Sequence, residues 1–190
     1  MKLLKDRIQK EGKVIRENIV KVDSFLNHQI DTILMNEIGH EFFSRYKDEK
    51  ITKILTIESS GIACALTTGL QFNSPVVFAK KHKSLNIDGE CYVSKVYSFT
   101  KKTEYDVTVS KEYLTKDDNV LIIDDFLALG NALNGLIDIV NQSGARLAGV
   151  GVVIEKTFQN GGKEIREKNI RVESLARIKE ISDKGVVFDD

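Results

Sequence analysis

Proline is nearly missing from this sequence: Pro75 is the only one, and tryptophan does not occur. With no Gly/Ser or Pro-rich tract, no internal repeat and no shift in composition, nothing marks a linker, and a single domain over residues 1–190 is expected. Cysteine is equally scarce. Cys64 and Cys91 stand in unrelated contexts without CxxC spacing, which excludes a disulfide framework or a cysteine-rich zinc site, so both are expected to be reduced. His28, His40 and His82 lack an i, i+4 pair or an acidic partner in a motif, and no metal or catalytic role is expected of them. Excess charge is absent as well: Lys plus Arg number 28 and Asp plus Glu number 28, so no overall field gathers polyanions and generic nucleic-acid binding is disfavoured. The longest apolar runs, Val120–Ile123 and Val150–Ile154, fall far short of the roughly 18 residues that cross a bilayer. Met1–Arg7 has no apolar stretch to act as a secretion signal, and a cytoplasmic protein is expected.

What is present is the composition of a folded globular chain, 42% hydrophobic and 29% charged. Leu4, Ile8, Ile15 and Ile19 recur at helical spacings and predict a first helix from about Lys2 to Asn18. A second helix is expected after Asp31, a plausible N-cap, with Ile30, Ile33, Leu34, Ile38 and Phe42 along one stripe. From Ile51 the pattern becomes strand (to Glu58), turn (Ser59–Gly61), helix (Ile62–Leu70) and strand (Val76–Ala79). The same order recurs as Val120–Ile123, Asp124–Gly130, Asn131–Gln142 and, after a stop at Ser143-Gly144, Leu147–Ile154. Two β-α-β units with continuous apolar strands imply an α/β fold, a parallel sheet covered by helices on both faces. Between the units, Cys91–Phe99 and Thr103–Ser110 alternate and predict a hairpin, a candidate mobile flap.

Open α/β sheets bind ligands where strands end and helices begin. At one such place, Val120 to Ala132, four apolar residues lead into two adjacent carboxylates, Asp124 and Asp125, and then into the small residues Ala128, Gly130 and Ala132 before a helix. Small residues let backbone amides close on a bulky anion, and the helix start adds its partial positive charge. The acids would repel that anion, so they suit ribose hydroxyls or a divalent cation carried by the substrate. A phosphorylated sugar meets both demands; the plainer alternative is that Asp125 caps the helix and Asp124 merely ends the strand. Neither GxGxxG nor GxxxxGK[ST] occurs, which removes the main support for dinucleotide and P-loop readings.

The segment Val120–Ala132 resembles the phosphoribosyl-diphosphate (PRPP) signature of the type I phosphoribosyltransferases, in the form similar to the purine branch. With Asn27 inside Asp23–Asp31 and the run Glu155-Lys156-Thr157-Phe158, the chain resembles the bacterial xanthine phosphoribosyltransferases over nearly its whole length. The resemblance implies the type I fold: a core of about residues 35–155, a hood from about 1–34 and 156–190, and a flexible β-hairpin loop around Tyr97–Lys102. It implies transfer of phosphoribosyl from PRPP to N9 of xanthine in purine salvage, giving xanthosine 5′-monophosphate and diphosphate. Mg²⁺ would be carried by PRPP, with no metal ligand assigned to the protein, and a homodimer is expected.

Residue by residue, it implies that Ala128, Leu129, Gly130, Asn131 and Ala132 hold the 5′-phosphate while Asp124 and Asp125 face the ribose. Lys156, Asn27 and Val20 would meet the xanthine. Glu58, Ser59, Ser60, Gly61 and, after the next strand, Lys81 would serve the diphosphate. Many relatives carry threonine in the phosphate loop and a carboxylate at the position of Ala128; this chain has neither, so backbone amides carry the phosphate and Lys156 substitutes for a base by favouring the xanthine anion. Two alternatives accompany this expectation: a non-catalytic ligand-sensing regulator on the same fold, or a preference for guanine, hypoxanthine or adenine.

Overall fold

The computed structural model describes residues 1–16, 19–81, 90–98, 103–183 and 185–189. The first helix, α1 (Lys2–Glu11), is shorter than its apolar spacing predicts. At Gly12 the backbone turns extended, and Lys13–Arg16 (β1) pairs antiparallel with Ile19–Lys21 (β2), Val14 opposite Val20. Leu4 and Ile8 are buried as expected, but Ile15 and Ile19, which continue the helical spacing, face solvent. A π-helical turn, Asp23–Asn27, follows and buries Phe25 and Leu26.

Helix α2 (Thr32–Tyr46) is capped as predicted: Asp31 accepts from the amides of Ile33 and Leu34. Its buried stripe is Leu34, Met35, Ile38, Phe42 and Tyr46; Ile30 and Ile33 are exposed, the latter 76%, which corrects their assignment to that face. The first β-α-β unit is β3 (Lys53–Ile57), α3 (Gly61–Phe72) and β4 (Val76–Ala79), and the hairpin is β5 (Cys91–Ser98) with β6 (Thr103–Ser110). The second unit is β7 (Asn119–Leu127), α4 (Asn131–Ser143) and β8 (Arg146–Lys156). The carboxyl-terminal residues, for which the pattern makes no assignment, form α5 (Gly161–Glu167), β9 (Val172–Ser182) and β10 (Gly185–Phe188).

The main sheet runs β10-β9-β8-β7-β3-β4, parallel throughout except for the antiparallel edge strand β10. Alternation along the strands divides the core in two. Ile54, Leu121 and Ile123 pack with α1, α2 and α3 on one face. Leu55, Ile57, Val120 and Ile122 pack with α4, α5 and the hairpin's Val96, Val107 and Val109 on the other. A parallel sheet covered on both faces needs apolar residues at successive positions, which is why its central strands β7 and β8 carry continuous apolar runs. Helix α1 lies against β9 and β10, and the amino group of Met1 donates to the Leu175 carbonyl at 2.6 Å. No helix among the described residues is long and apolar enough to cross a membrane.

Candidate active site

Strands β3 and β7 are parallel neighbours, yet their crossovers diverge: β3 leads through α3 to β4 on one side, β7 through α4 to β8 on the other. Helices α3 and α4 lie on opposite faces. The carboxyl ends of β3 and β7 therefore open away from one another, and a crevice forms at this reversal of strand order.

Asp124 and Asp125 stand beside that crevice, 4% and 7% exposed. They are residues of β7 rather than of the turn after it, which corrects the expected strand end at Ile123: the ladder to β8 continues through Asp124 opposite Val152 to Leu127 opposite Glu155. The Asp125 amide donates to Asp124 Oδ1 at 3.0 Å. Burial pushes the Asp124 carboxyl well above the usual carboxylate range, and the charge of Asp125 pushes it further. Helix α3 starts against this acid. A Cβ on Gly61 would sit 3.0 Å from Asp124 Oδ1 and 2.3 Å from Thr56 Oγ1, so only glycine lets the helix start so close to both side chains. Cys64, one turn into α3, is fully buried and donates its thiol to the Gly61 carbonyl, in keeping with a small core residue.

After Leu127 the chain crosses Ala128 and Leu129 and reaches Gly130 at φ +81°, a left-handed conformation that favours glycine. Helix α4 follows at once with no side-chain cap, and its first backbone bond within the helix runs from Asn134 N–H to the Gly130 carbonyl. The amides of Asn131, Ala132 and Leu133 are thus left without an intrahelical acceptor, which is what an anion-binding helix start requires. The loop is braced from two sides. The Gly161 amide donates to the Ala128 carbonyl at 3.2 Å, and Asn131 Nδ2 donates to the Tyr97 carbonyl of the hairpin at 3.0 Å.

Against this loop lies a cleft of about 270 Å³, walled by residues 128–133 together with Tyr97, Phe126, Lys156 and Gln159. Lys156 ends β8, with Nζ 5.9 Å from the centroid of the Phe126 ring, and burial holds its ammonium below the usual lysine range. The following turn is closed by the Gln159 amide on the Lys156 carbonyl at 3.0 Å, and Thr157 anchors it by donating its amide to Ile178 at 2.8 Å and its hydroxyl to Asp189.

Next to Lys156, on the opposite face of β8, Glu155 is 2% exposed. Arg166 meets it with two bonds of 2.6 and 2.8 Å and Ser174 donates a third at 2.5 Å. Burial alone would raise the Glu155 carboxyl, but these donors outweigh it and hold the group below the usual carboxylate range. This network, like the wall residues Phe126 and Gln159, escaped the sequence reading. Arg166 lies eleven positions from Glu155 and Ser174 nineteen, so no local spacing could have joined them.

At the other turn, Glu58 and Ser59 are joined by a cis peptide and Ser60 precedes Gly61. Glu58 Oε1 accepts from the amide of Lys81 at 2.6 Å, and Lys80 bridges Thr108 of β6, so the residues expected to serve diphosphate gather where β3 and β4 end. The Lys81 ammonium lies 5.9 Å from the Tyr105 ring centroid. Two expected base contacts lie outside the walls of this cleft. Val20 is buried with Leu4 and Ile8, its apolar side chain committed to the core, and the exposed Asn27 closes the π turn; neither lines the cleft. His28 and His40 are exposed. His82, Lys83 and the tip of the expected flap at 99–102 lie outside the described residues.

The family profile described as "Phosphoribosyl transferase domain" matches residues 21–187. A curated xanthine phosphoribosyltransferase from Lacticaseibacillus casei (strain BL23) is 58% identical over 188 residues, 99% of this chain and 98% of that protein. Another, from Finegoldia magna, is 53% identical over 190 residues, the full length of both. In fold, the chain is similar to the crystal structure of adenine phosphoribosyltransferase from Trypanosoma brucei, with a TM-score of 0.79, 24% identity, and 96% of this chain and 82% of that one covered. Strand order, glycine-opened helix start, twin acids and full-length similarity agree: the chain belongs to the phosphoribosyl transferase family.

Proposed function

We propose that the protein is a xanthine phosphoribosyltransferase of purine salvage, joining N9 of xanthine to C1′ of PRPP and releasing diphosphate. The observation that carries this reading is that the anion-cradling loop at residues 128–132 and the half-buried ammonium of Lys156 face one cleft. The loop amides hold the 5′-phosphate, and Asp124 and Asp125 hold the ribose. PRPP brings Mg²⁺ with it as part of the substrate. Glu58, Ser59, Ser60, Gly61 and Lys81 receive the diphosphate, Gly61 through its amide at the start of α3.

In the reaction the bond from C1′ to the diphosphate oxygen breaks, its electron pair leaves with diphosphate, and the N9 lone pair forms the new bond. Xanthine is acidic enough to be partly ionised near neutral pH, so its proton has already left in the reacting fraction, and Lys156 stabilises the anion. No residue of the phosphate loop takes a proton, and the enzyme acts chiefly by positioning and by charge. Asn27 and the backbone at Val20 complete the base site from the amino-terminal segment, Val20 from β2 and Asn27 from the end of the π turn. A cytoplasmic homodimer is the working assembly.

The test is a diphosphate-release assay with PRPP and Mg²⁺ across a panel of bases. Xanthine is expected to be consumed faster than guanine and hypoxanthine, and far faster than adenine. Equal use of all four would remove the base assignment, and binding of PRPP without release would make the protein a sensor.

A further inference from the structure

Gln159 is on the wall of the cleft, and nothing in the reaction described so far uses it. Its backbone amide closes the turn that begins at Lys156, so the two side chains leave opposite ends of one four-residue turn and line the same cavity. That turn is rigidly held, by Thr157 on β9 and Asp189 and by the Gly161 amide on the phosphate loop, so the Lys156 to Gln159 spacing is set by the fold rather than by the ligand. Gln159 Oε1 is shut off from solvent and has no hydrogen-bond partner among the described residues. A buried carbonyl oxygen left without a donor is costly, and a ligand that supplies the donor recovers that cost on binding. Rotation about the last side-chain torsion, which is soft for a carboxamide, turns the oxygen toward the cleft its side chain already lines.

The two groups differ in kind. A lysine ammonium can only donate, whereas an amide oxygen can only accept. Side by side they complement an oxo group flanked by an N–H. Xanthine, hypoxanthine and guanine each present that pair on the six-membered ring, and adenine presents the reverse, an amino donor beside a bare ring nitrogen. We propose that Gln159 is a specificity-determining residue, its side-chain carbonyl accepting the N–H that adjoins the oxo group facing Lys156, so that the pair selects oxopurines and rejects adenine. This rests on the reading of the cleft as a purine base site.

The test compares Gln159→Leu with the unaltered protein in the base panel. Leucine keeps the bulk and removes the acceptor, so kcat/KM for xanthine is expected to fall about tenfold, the worth of one hydrogen bond at the upper end of its ordinary range. The KM for PRPP should stay as it was, and the preference for xanthine over adenine should narrow by the same factor. Because an unpaired buried oxygen has been replaced by an apolar group, the thermal midpoint should hold or rise, which a merely structural glutamine would not allow. Should the branched side chain crowd the turn and lower the midpoint, Gln159→Met, unbranched and equally without an acceptor, makes the same comparison. A loss of equal size for every base, or unchanged selectivity in a stable variant, overturns the role of Gln159. If the unaltered protein itself fails to use oxopurines, the base-site reading fails, a result separable from the first.

Discussion

Two strand-to-helix turns flank the crevice, and each opens its helix on a glycine, Gly61 at α3 and Gly130 at α4. At Gly130 the requirement is conformational: φ is +81°, and a Cβ there would also come within 3.2 Å of Gly161 Cα. At Gly61 the backbone is ordinary and the requirement is room, because the acid of β7 and the hydroxyl of Thr56 press against the helix start. The Gly130 turn is thus shaped for a ligand outside it, whereas the Gly61 turn is packed against the residues that would hold the sugar. Electrostatics follow the same division: the α4 start offers amides to solvent, while α3 begins against a buried carboxyl whose acidity burial has weakened.

The comparison breaks most directly at the acids. Asp125→Asn should lower kcat/KM about a hundredfold, since hydrogen bonds to a charged group contribute ~1.5–3 kcal/mol each. Steady-state kinetics with PRPP varied would show it, and intact turnover would remove Asp125 from the sugar site. Alanine at the two glycines sharpens the contrast. Gly61→Ala should cost ~1–3 kcal/mol of stability by overpacking and depress kcat, because the added methyl displaces the Thr56 hydroxyl and crowds Asp124. Gly130→Ala should cost ~1–2 kcal/mol through the left-handed backbone and appear chiefly as a raised KM for PRPP. Matching kinetic signatures in the two variants would mean the turns do not differ as described.

The smallest effect concerns the network beside Lys156. Glu155 has its acidity strengthened by Arg166 and Ser174, so its contribution to stability is complete above its unfolded pKa of about 4.3 and is lost as pH falls through the lower folded value. Ser174→Ala should cost ~1 kcal/mol at neutral pH and move that acid loss to higher pH. Thermal midpoints across pH 3 to 7 would display it, and identical pH profiles for the two proteins would exclude Ser174 from the network.

Much of this arrangement was legible in the residues. The β-rich stretch of β3 and the apolar runs of β7 and β8, punctuated by Ser59–Gly61 and Ser143-Gly144, place both β-α-β units within a few positions, and the alternation of β5 and β6 places the hairpin. Where reading failed, a local pattern was overridden. Ile15 and Ile19 extend the spacing of α1, but Gly12 ends the helix and pairing of β1 with β2 gives those isoleucines to solvent. Asp124 and Asp125 read as loop residues because charge seldom lies inside a strand; bonding to β8 keeps them in one. Strand β9, with its mixed charges, shows no clear period because the partners that cover it, α1, β8 and β10, come from opposite ends of the chain.

By itself the sequence determined the fold class, the two glycine-opened strand-to-helix turns and the acids beside them, since these depend on torsional preference and apolar spacing between near neighbours. Only the tertiary structure decided that Lys156 and Gln159 would share a cleft with the loop at 128–132, that Val20 would be spent on the core, and that Glu155 would find Arg166 and Ser174. Those relations join residues that no periodicity connects, and they arise only when strands with separate positions in the chain are hydrogen-bonded into one sheet.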